Sequence, residues 1–161
     1  MTKFIVDEML ENLARWLRIL GFDTLSASSF RKENIDVDKA ILRIAMKDDR
    51  ILLTSDKQLA SRANKMGLRA MYIEPNLSLK EVLRKILENL NIREEAHRDM
   101  LSRCPLCNGI LVPANKEDLT NKVPPSVLKI HNEFWICNNC GHVYWIGSHF
   151  KNINKVLSEV L

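Results

Sequence analysis

The chain has 161 residues, of which 46% are hydrophobic and 27% charged, with five Gly and five Pro. These proportions are typical of a globular protein and exclude a disordered, collagen-like or linker-like chain. No apolar run approaches the roughly 18 residues that a membrane span needs, and the N-terminus reaches Asp7 before a secretion signal could form. The net charge of +4 is compatible with nucleic acid but identifies no partner by itself. We therefore expect a cytoplasmic protein that does not associate with membranes.

Strands and helices alternate along the first 100 residues. Leu10, Leu13, Leu17 and Leu20 recur at the spacing of one helix face, and residues 51–54 form a short apolar run typical of a buried strand. Ser78 with Glu81 three residues later indicates a capped helix start. The pattern predicts strands at residues 3–7, 22–27, 51–54 and 69–73, and helices at residues 8–21, 39–47, 56–66 and 78–90.

This alternation predicts an α/β fold with a mainly parallel sheet that helices cover on both faces. In such sheets ligands bind beyond the carboxyl ends of the strands. A change in composition near residues 98–103 predicts a second domain, because all four cysteines and two of the three tryptophans follow it. We therefore divide the chain into residues 1–98 and 99–161, with a closing helix at residues 151–161.

Acidic residues stand at the predicted strand ends. Asp7 and Glu8 follow the first strand, Asp56 follows residues 51–54, and Asp38 begins the helix that leads into that strand. Carboxylates that converge at one sheet edge repel one another unless a cation neutralises them, and hard oxygen ligands suit Mg²⁺ or Mn²⁺. The sequence thus predicts an acidic cluster that holds a divalent cation.

Each acid also has a structural interpretation. Asp38 and Asp56 are well placed as helix N-caps, with Asp36 as a second candidate cap for the helix of Asp38. Glu8 and Glu11 would favour the positive end of a helix dipole, and Glu11 can pair with Arg15 one turn later.

Basic residues lie on the two helices that follow the acid-bearing strand ends. Arg15, Arg18, Arg62 and Lys65 are candidates to hold a phosphate backbone beside the metal. The alternative is that they form an ordinary solvated helix surface.

The cysteines form two Cys-x-x-Cys pairs, Cys104 with Cys107 and Cys137 with Cys140, separated by 29 residues. Two such turns supply the four thiolates of a tetrahedral structural Zn²⁺ site, which leaves no open position for water. Disulfides or a redox dithiol are the alternative, which a cytoplasmic location disfavours. Gly109 and Gly141 follow the pairs, and we expect both to adopt positive φ.

Aromatic residues flank the second cysteine pair. Trp135, Tyr144 and Trp145 either stack on bases or cover the small sheet of a zinc ribbon, and the second interpretation is favoured because a ribbon has almost no core of its own.

The sequence resembles the mut-seven C-terminal ribonuclease domain family, a PIN-like nuclease domain fused to a zinc ribbon. The segments that carry the resemblance are residues 4–10 (FIVDEML), 13–21 (LARWLRILG), 50–56 (RILLTSD), 103–109 (RCPLCNG) and 140–149 (CGHVYWIGSH). The resemblance implies a PIN-like α/β/α sandwich and metal-dependent RNA cleavage. It maps onto Asp7, Asp38 and Asp56 as the acidic cluster and onto the four cysteines as zinc ligands. Ser55 departs from the family's pattern, which more often has Arg there.

These observations predict a Mg²⁺- or Mn²⁺-dependent endoribonuclease in which Asp7, Asp38 and Asp56 hold the cation and Glu8 is the next candidate to join them. The structural zinc ribbon would position RNA or brace the nuclease domain. The alternative is a non-catalytic RNA- or ribosome-binding module whose acids are helix caps.

Overall fold

The structure is a computed structural model that describes residues 1–30 and 36–161. Its first sheet contains four strands, all parallel, in the order β2-β1-β3-β4. The strands are β1 (Lys3–Val6), β2 (Asp23–Ser26), β3 (Ile51–Thr54) and β4 (Ala70–Tyr72). All four strands predicted from the sequence are confirmed, with shorter ends for three of them.

Helices cover both faces of this sheet. One layer contains α1 (Glu11–Ile19), α4 (Leu79–Asn89) and α5 (Arg93–Asp99), and the other contains α2 (Val37–Asp48) and α3 (Lys57–Lys65). Side chains of a strand alternate between the faces, so Phe4 and Val6 enter the first core whereas Ile5 enters the second. The predicted α/β class, with a parallel sheet between two helical layers, is confirmed.

The helix starts distinguish between the two predicted caps of α2. The carboxylate of Asp36 accepts a hydrogen bond from the N–H of Lys39 at 3.2 Å, so Asp36 is the cap and Asp38 lies in the first turn. At α4, Ser78 and Glu81 form the predicted capping box.

The second sheet is a three-stranded antiparallel ribbon near the C-terminus. It consists of β5 (Leu111–Ala114), β6 (Phe134–Cys137) and β7 (Val143–Trp145), in that order. A short helix, α6 (Pro125–Ile130), occupies the long connection between β5 and β6. Trp145 packs against the small ribbon core beside Phe134, with ring centroids 6.3 Å apart, which is the core role that the sequence favoured.

The last helix, α7 (Ser148–Val160), returns to the first domain. Leu157 and Val160 are buried in the core that α1 and α4 form, and the backbone carbonyl of Glu159 accepts a hydrogen bond from Arg84 of α4 at 3.0 Å. The predicted division had grouped this helix with the ribbon. The helix packs on α4 because the ribbon core is too small to bury a helix face. Among the described residues, no helix has both the length and the apolar character to cross a membrane.

Candidate active site and metal centre

The predicted acids of β1 and β3 lie at the carboxyl ends of the two central strands. Strand order reverses between these strands, since the chain passes from β1 to β2 on one side and then crosses to β3 on the other. Such a switch point opens a crevice at the carboxyl edge of a parallel sheet. Asp7 follows β1 directly, and its N–H extends the ladder to the carbonyl of Leu53 at 3.0 Å. The backbone of Asp7 is therefore fixed by the sheet.

The hydroxyl of Thr54 connects the two acids. It donates to Oδ2 of Asp7 at 3.0 Å and accepts from the N–H of Asp56 at 3.0 Å. Thr54 is 0% exposed, so its hydroxyl has little freedom to choose other partners. The sequence analysis missed this residue, although a hydroxyl that ends an otherwise apolar strand just before an acid was the available signal.

Asp38 approaches the other two aspartates from the first turn of α2. Partial desolvation raises the pKa of its carboxyl above the usual value, and the negative charges of Asp56 and Asp7 raise it further, while Arg62 opposes the shift. The three carboxylates thus share one electrostatic field. A divalent cation would offset both the partial desolvation and the repulsion from the neighbouring acids, and the all-oxygen donor set fits Mg²⁺ or Mn²⁺.

Asp56 is also the N-cap of α3, as the alternative interpretation proposed. Its Oδ1 accepts from the N–H groups of Gln58 and Leu59 at 2.9 and 3.1 Å. Both bonds use the same oxygen, so the cap leaves Oδ2 out of these contacts and does not exclude a role as a ligand.

The carboxylate oxygens of the acids do not lie as close together as the ligand atoms of a bound metal ion. Among the residues that the structure describes, the aspartates do not form a group whose ligand atoms all lie within 4.8 Å of one another, whereas the four cysteines do. Glu8 is half-buried in a single 3₁₀ turn, Glu8–Leu10, directly after Asp7.

Glu11 has different partners from the predicted one. Its carboxylate accepts hydrogen bonds from the hydroxyls of Ser26 and Ser28, the latter at 2.7 Å, and lies 3.9 Å from Arg18. Ser55, the departure from the family pattern, donates to the carbonyl of Ile73 at 2.9 Å and so connects β3 to the end of β4.

Two of the predicted phosphate contacts lie on one surface of α3. Arg62 and Lys65 are exposed and line a shallow depression together with Lys57, Gln58 and Ser61. None of the described residues that line this depression is acidic. Arg15 is also exposed, on α1.

The sequence predicts a phosphate contact for Arg18, but its partners in the structure lie within the protein. Its side chain is buried, and its guanidinium donates to the backbone carbonyls of Thr24 at 2.9 Å, Pro105 at 2.9 Å and Leu106 at 3.2 Å. Arg18 therefore joins α1 to the first cysteine turn. The sequence could not distinguish it from Arg15, because the two lie three residues apart on the same helix.

The four cysteines form a candidate metal centre. Their sulfur atoms all lie within 4.8 Å of one another, with 3.8 Å between Cys104 and Cys140 and 3.4 Å between Cys107 and Cys137. A tetrahedral Zn²⁺ with Zn–S bonds of about 2.3 Å separates its sulfurs by roughly 3.8 Å. The four thiols thus lie close enough to bind one metal ion such as zinc.

Backbone N–H groups of the two cysteine turns point at the sulfurs. Those of Gly109 and Asn139 lie 3.4 Å from Cys107 and Cys137, respectively. Burial opposes ionisation of Cys107, but hydrogen bonds from Asn139 and Gly109 outweigh it and lower the pKa of the thiol to about 6. A low pKa favours the thiolate that binds metal.

The first cysteine turn differs from the prediction in its backbone. Gly141 has the expected positive φ, +75°, but in the first turn the positive φ, 69°, belongs to Asn108. Gly109 is needed for space instead, because a Cβ there would lie 2.6 Å from the sulfur of Cys137.

The same Asn108 attaches the cysteine turn to the edge of the parallel sheet. Its Oδ1 accepts from the N–H of Thr24 at 3.0 Å, and its Nδ2 donates to Asp23 at 2.8 Å. Asp23 in turn binds both terminal nitrogens of Arg50, at 2.8 and 3.2 Å. The metal centre is thereby connected to β2 by side chains whose roles the sequence did not indicate.

Comparison with known proteins adds a family and one distant relative. The Mut7-C RNAse domain matches residues 2–157. The human protein described as exonuclease mut-7 homolog is 29% identical over 107 residues, which are 66% of this chain but only 12% of the human protein. No solved structure matches the chain. The family and the relative both point to a nuclease, and the family's description suggests RNA as the substrate.

Proposed function

The chain belongs to the Mut7-C RNAse domain family, and on this premise we propose that it is a metal-dependent endoribonuclease. It hydrolyses phosphodiester bonds of RNA at the carboxyl edge of the parallel sheet. Asp7, Asp38 and Asp56 hold Mg²⁺ or Mn²⁺ there, and Glu8 is the next candidate ligand.

The observation that carries the proposal is the nearness of two further carboxylates, Asp56 and Asp7, to Asp38 at the carboxyl edge of the sheet. The pKa of Asp38 is raised by partial desolvation and then by Asp56 and Asp7, which belong to two other elements of the fold. Structural carboxylates are normally paired with cations, as Asp23 is with Arg50. Clustered carboxylates at a topological switch point are typical of a site that binds a cation.

The protein's own residues orient this cluster. Thr54 fixes one oxygen of Asp7 by donating to it, and the cap bonds of Asp56 hold that carboxylate at the start of α3. A bound divalent cation supplies an activated water and stabilises the leaving oxygen. Exposed Arg62 and Lys65, on the helix that Asp56 begins, bind phosphates of the substrate, with Arg15 contributing from α1.

The ribbon carries one structural Zn²⁺ bound by Cys104, Cys107, Cys137 and Cys140. The contacts of Arg18 and Asn108 with the first cysteine turn support a bracing role for it. If the ribbon also contacts RNA, it does so next to the nuclease domain to which these contacts attach it.

Circular single-stranded RNA tests the proposal in its full form. In Mn²⁺ the wild-type protein should linearise the circle, which an enzyme that needs a free end cannot do. Asp7→Asn and Asp56→Asn should lose at least about 100-fold in rate, the order of magnitude expected when a group that stabilises the transition state is removed. Asp49→Asn is the matched control, since Asp49 is an exposed acid whose left-handed backbone (φ 51°) Asn also accepts.

Equal rates in all four folded proteins would contradict the metal site. If the protein cleaves linear RNA but does not linearise circles, it is a nuclease that needs a free end, which makes it an exonuclease and contradicts the endonuclease part of the proposal.

A second candidate function is a non-catalytic RNA- or ribosome-binding module. The observation that favours it is the cap role of Asp56, together with the failure of the three described aspartates to form a compact ligand group. It predicts RNA binding that Asp7→Asn leaves unchanged, and no cleavage in Mn²⁺ by any of the proteins.

A further inference from the structure

The open edge of β4 lies next to β3, the strand that Asp56 follows. β4 is the last strand of the sheet in the described residues, and Tyr72 pairs in register with Thr54, which contacts both Asp7 and Asp56. Neighbouring strands are about 4.8 Å apart. The end of β4 at Tyr72 therefore lies one strand from Thr54 and two strands, roughly 10 Å, from the end of β1 that Asp7 follows.

The backbone of Tyr72 faces outward from this edge. The carbonyl of Arg69 and the N–H of Ile73 both bond to β3, at 2.9 and 2.8 Å. Because backbone groups alternate in direction along a strand, the N–H and C=O of Ala70 and Tyr72 point away from β3. Those of Ala70 are paired with the side chain of Asn64. As far as the structure describes the chain, the edge of β4 is thus open only at Tyr72, at its carboxyl end.

A small pocket lies against this open end. Its volume is about 160 Å³, below the roughly 300–1,000 Å³ of sites for larger ligands, so it accommodates one small ring system. Besides Tyr72, the pocket has an apolar wall and a polar rim, and the rim can form hydrogen bonds with the polar edge of such a ring. The wall includes Met71, Leu77 and Val82, and the rim consists of Glu74, Lys85 and Asn89.

Positive charge lies beside Tyr72 as well. Lys57, the first residue of α3, places its ammonium 5.3 Å from the centroid of the Tyr72 ring. Lys57 also lines the depression that contains Arg62 and Lys65. A polyanion that follows α3 would therefore pass Tyr72.

We propose that this pocket receives one unpaired nucleobase of single-stranded RNA, from a nucleotide adjacent to the cleaved phosphate. The backbone of the RNA follows the cations of α3, and the base enters the pocket, where the polar rim and the backbone of Tyr72 contact its edge. The inference rests on the proposed function for the word "cleaved", but the base site itself does not need cleavage. A protein strand is disfavoured as the occupant, because Asn64 already binds the backbone of Ala70 and leaves too short an edge to extend the sheet.

The test measures binding of short oligoribonucleotides in which one nucleotide at a time lacks its base. With no Mg²⁺ or Mn²⁺ added, one abasic position should bind about tenfold more weakly to the full chain, since the contacts of a single base are worth about that factor. The other positions should bind as the intact RNA does.

Variants of the pocket should remove that difference. Leu77→Trp, which fills the pocket, should bind intact RNA about tenfold more weakly and should no longer distinguish the abasic position. Asn89→Ala, at the exposed rim, should reduce the discrimination with little effect on folding, and Asn76→Ala is the matched control outside the pocket.

Equal loss at every abasic position would overturn the proposal. So would unchanged RNA affinity in folded Leu77→Trp, and faster or slower sedimentation of that variant would then assign the edge to a second copy of the chain. A protein that discriminates one base but cleaves no RNA in Mn²⁺ supports the pocket and contradicts the proposed function. A protein that linearises circles without discriminating any base contradicts the pocket alone.

Discussion

Asp23 and Asp38 lie in opposite electrostatic surroundings within one domain. Asp23 begins β2, at the amino edge of the sheet, where burial opposes its ionisation but hydrogen bonds from Arg50 and Asn108 outweigh it and hold its pKa below the usual value. Asp38 lies near the carboxyl edge, where partial desolvation, Asp56 and Asp7 all raise its pKa. Asp23 at the amino edge is neutralised from within the protein, whereas the acids at the carboxyl edge would be neutralised by the cation proposed above.

This contrast distinguishes a structural region from a functional one. The neutralised edge is where the first cysteine turn attaches to the sheet, through Asn108 and Arg18. The crowded edge is where the proposed chemistry occurs. Stability is expected to depend mainly on the first region, and activity mainly on the second.

Removal of zinc should give the largest effect on stability. Structural zinc sites contribute binding free energy directly to folding, so a chelator or Cys137→Ser should unfold the ribbon. Because Arg18 and Asn108 connect the first cysteine turn to α1 and β2, the melting temperature of the nuclease domain should fall as well. Calorimetry and metal analysis, with one Zn expected per chain, check this. A nuclease domain that melts at the same temperature with and without metal would contradict the bracing role.

Arg18→Met should cost at least about 3 kcal/mol in the free energy of unfolding, because it removes three hydrogen bonds of a charged group, each worth roughly 1.5–3 kcal/mol when lost singly, and leaves backbone carbonyls without partners. Arg15→Met is the matched control three residues away, and exposed sites of this kind usually change stability by less than about 0.5 kcal/mol. Urea denaturation measures both. If Arg15→Met lowers RNA affinity while Arg18→Met lowers only stability, the two arginines have the roles assigned here, and the reverse pattern contradicts them.

The two aspartates should respond to pH with opposite signs. A lowered folded pKa stabilises the protein above the unfolded value, about 3.9, and this contribution is lost as pH falls through the folded pKa. Asp23→Asn should therefore destabilise the protein at pH 7, with the difference vanishing in acid.

A raised folded pKa has the opposite consequence, since its contribution is present at low pH and is lost as pH rises through the folded value. Asp38→Asn should therefore raise the melting temperature at pH 7 without added divalent cation, and the gain should disappear below about pH 4, near the unfolded pKa. Melting curves from pH 3 to 7 decide this. A loss of stability in Asp38→Asn at pH 7 would contradict the crowding of the three acids.

Tyr144→Phe should have the smallest effect. The Tyr144 hydroxyl lies 3.0 Å from the sulfur of Cys104 and can donate a hydrogen bond to its thiolate. Groups that hydrogen-bond to metal ligands typically change affinity by about 10–100-fold. Zinc transfer to a chromogenic chelator should be faster in Tyr144→Phe at nearly unchanged melting temperature, and equal transfer rates would show that the hydroxyl has no influence on the metal.

Local sequence pattern was sufficient to predict most of the helices and strands, and the spacing of the cysteines was sufficient to predict that the two pairs come together. Apolar spacing locates a helix or strand because it depends on neighbours within one or two turns, and the capping box of Ser78 and Glu81 depends on residues three apart. The acids at the ends of β1 and β3 were found in the same way, because a parallel sheet brings its carboxyl ends to one edge. Their roles as metal ligands stay predictions, as does the PIN-like assignment.

Only the tertiary structure shows which of two similar residues is exposed and which is buried in a structural contact. Arg15 and Arg18 are equivalent in sequence, yet one is exposed and the other is buried against a turn 87 residues away. The bridge formed by Thr54, the attachment through Asn108 and the return of α7 to the first core also join residues distant in the chain. Such contacts depend on which surfaces meet when the helices and strands pack, and the local sequence around each residue does not indicate which surfaces these are.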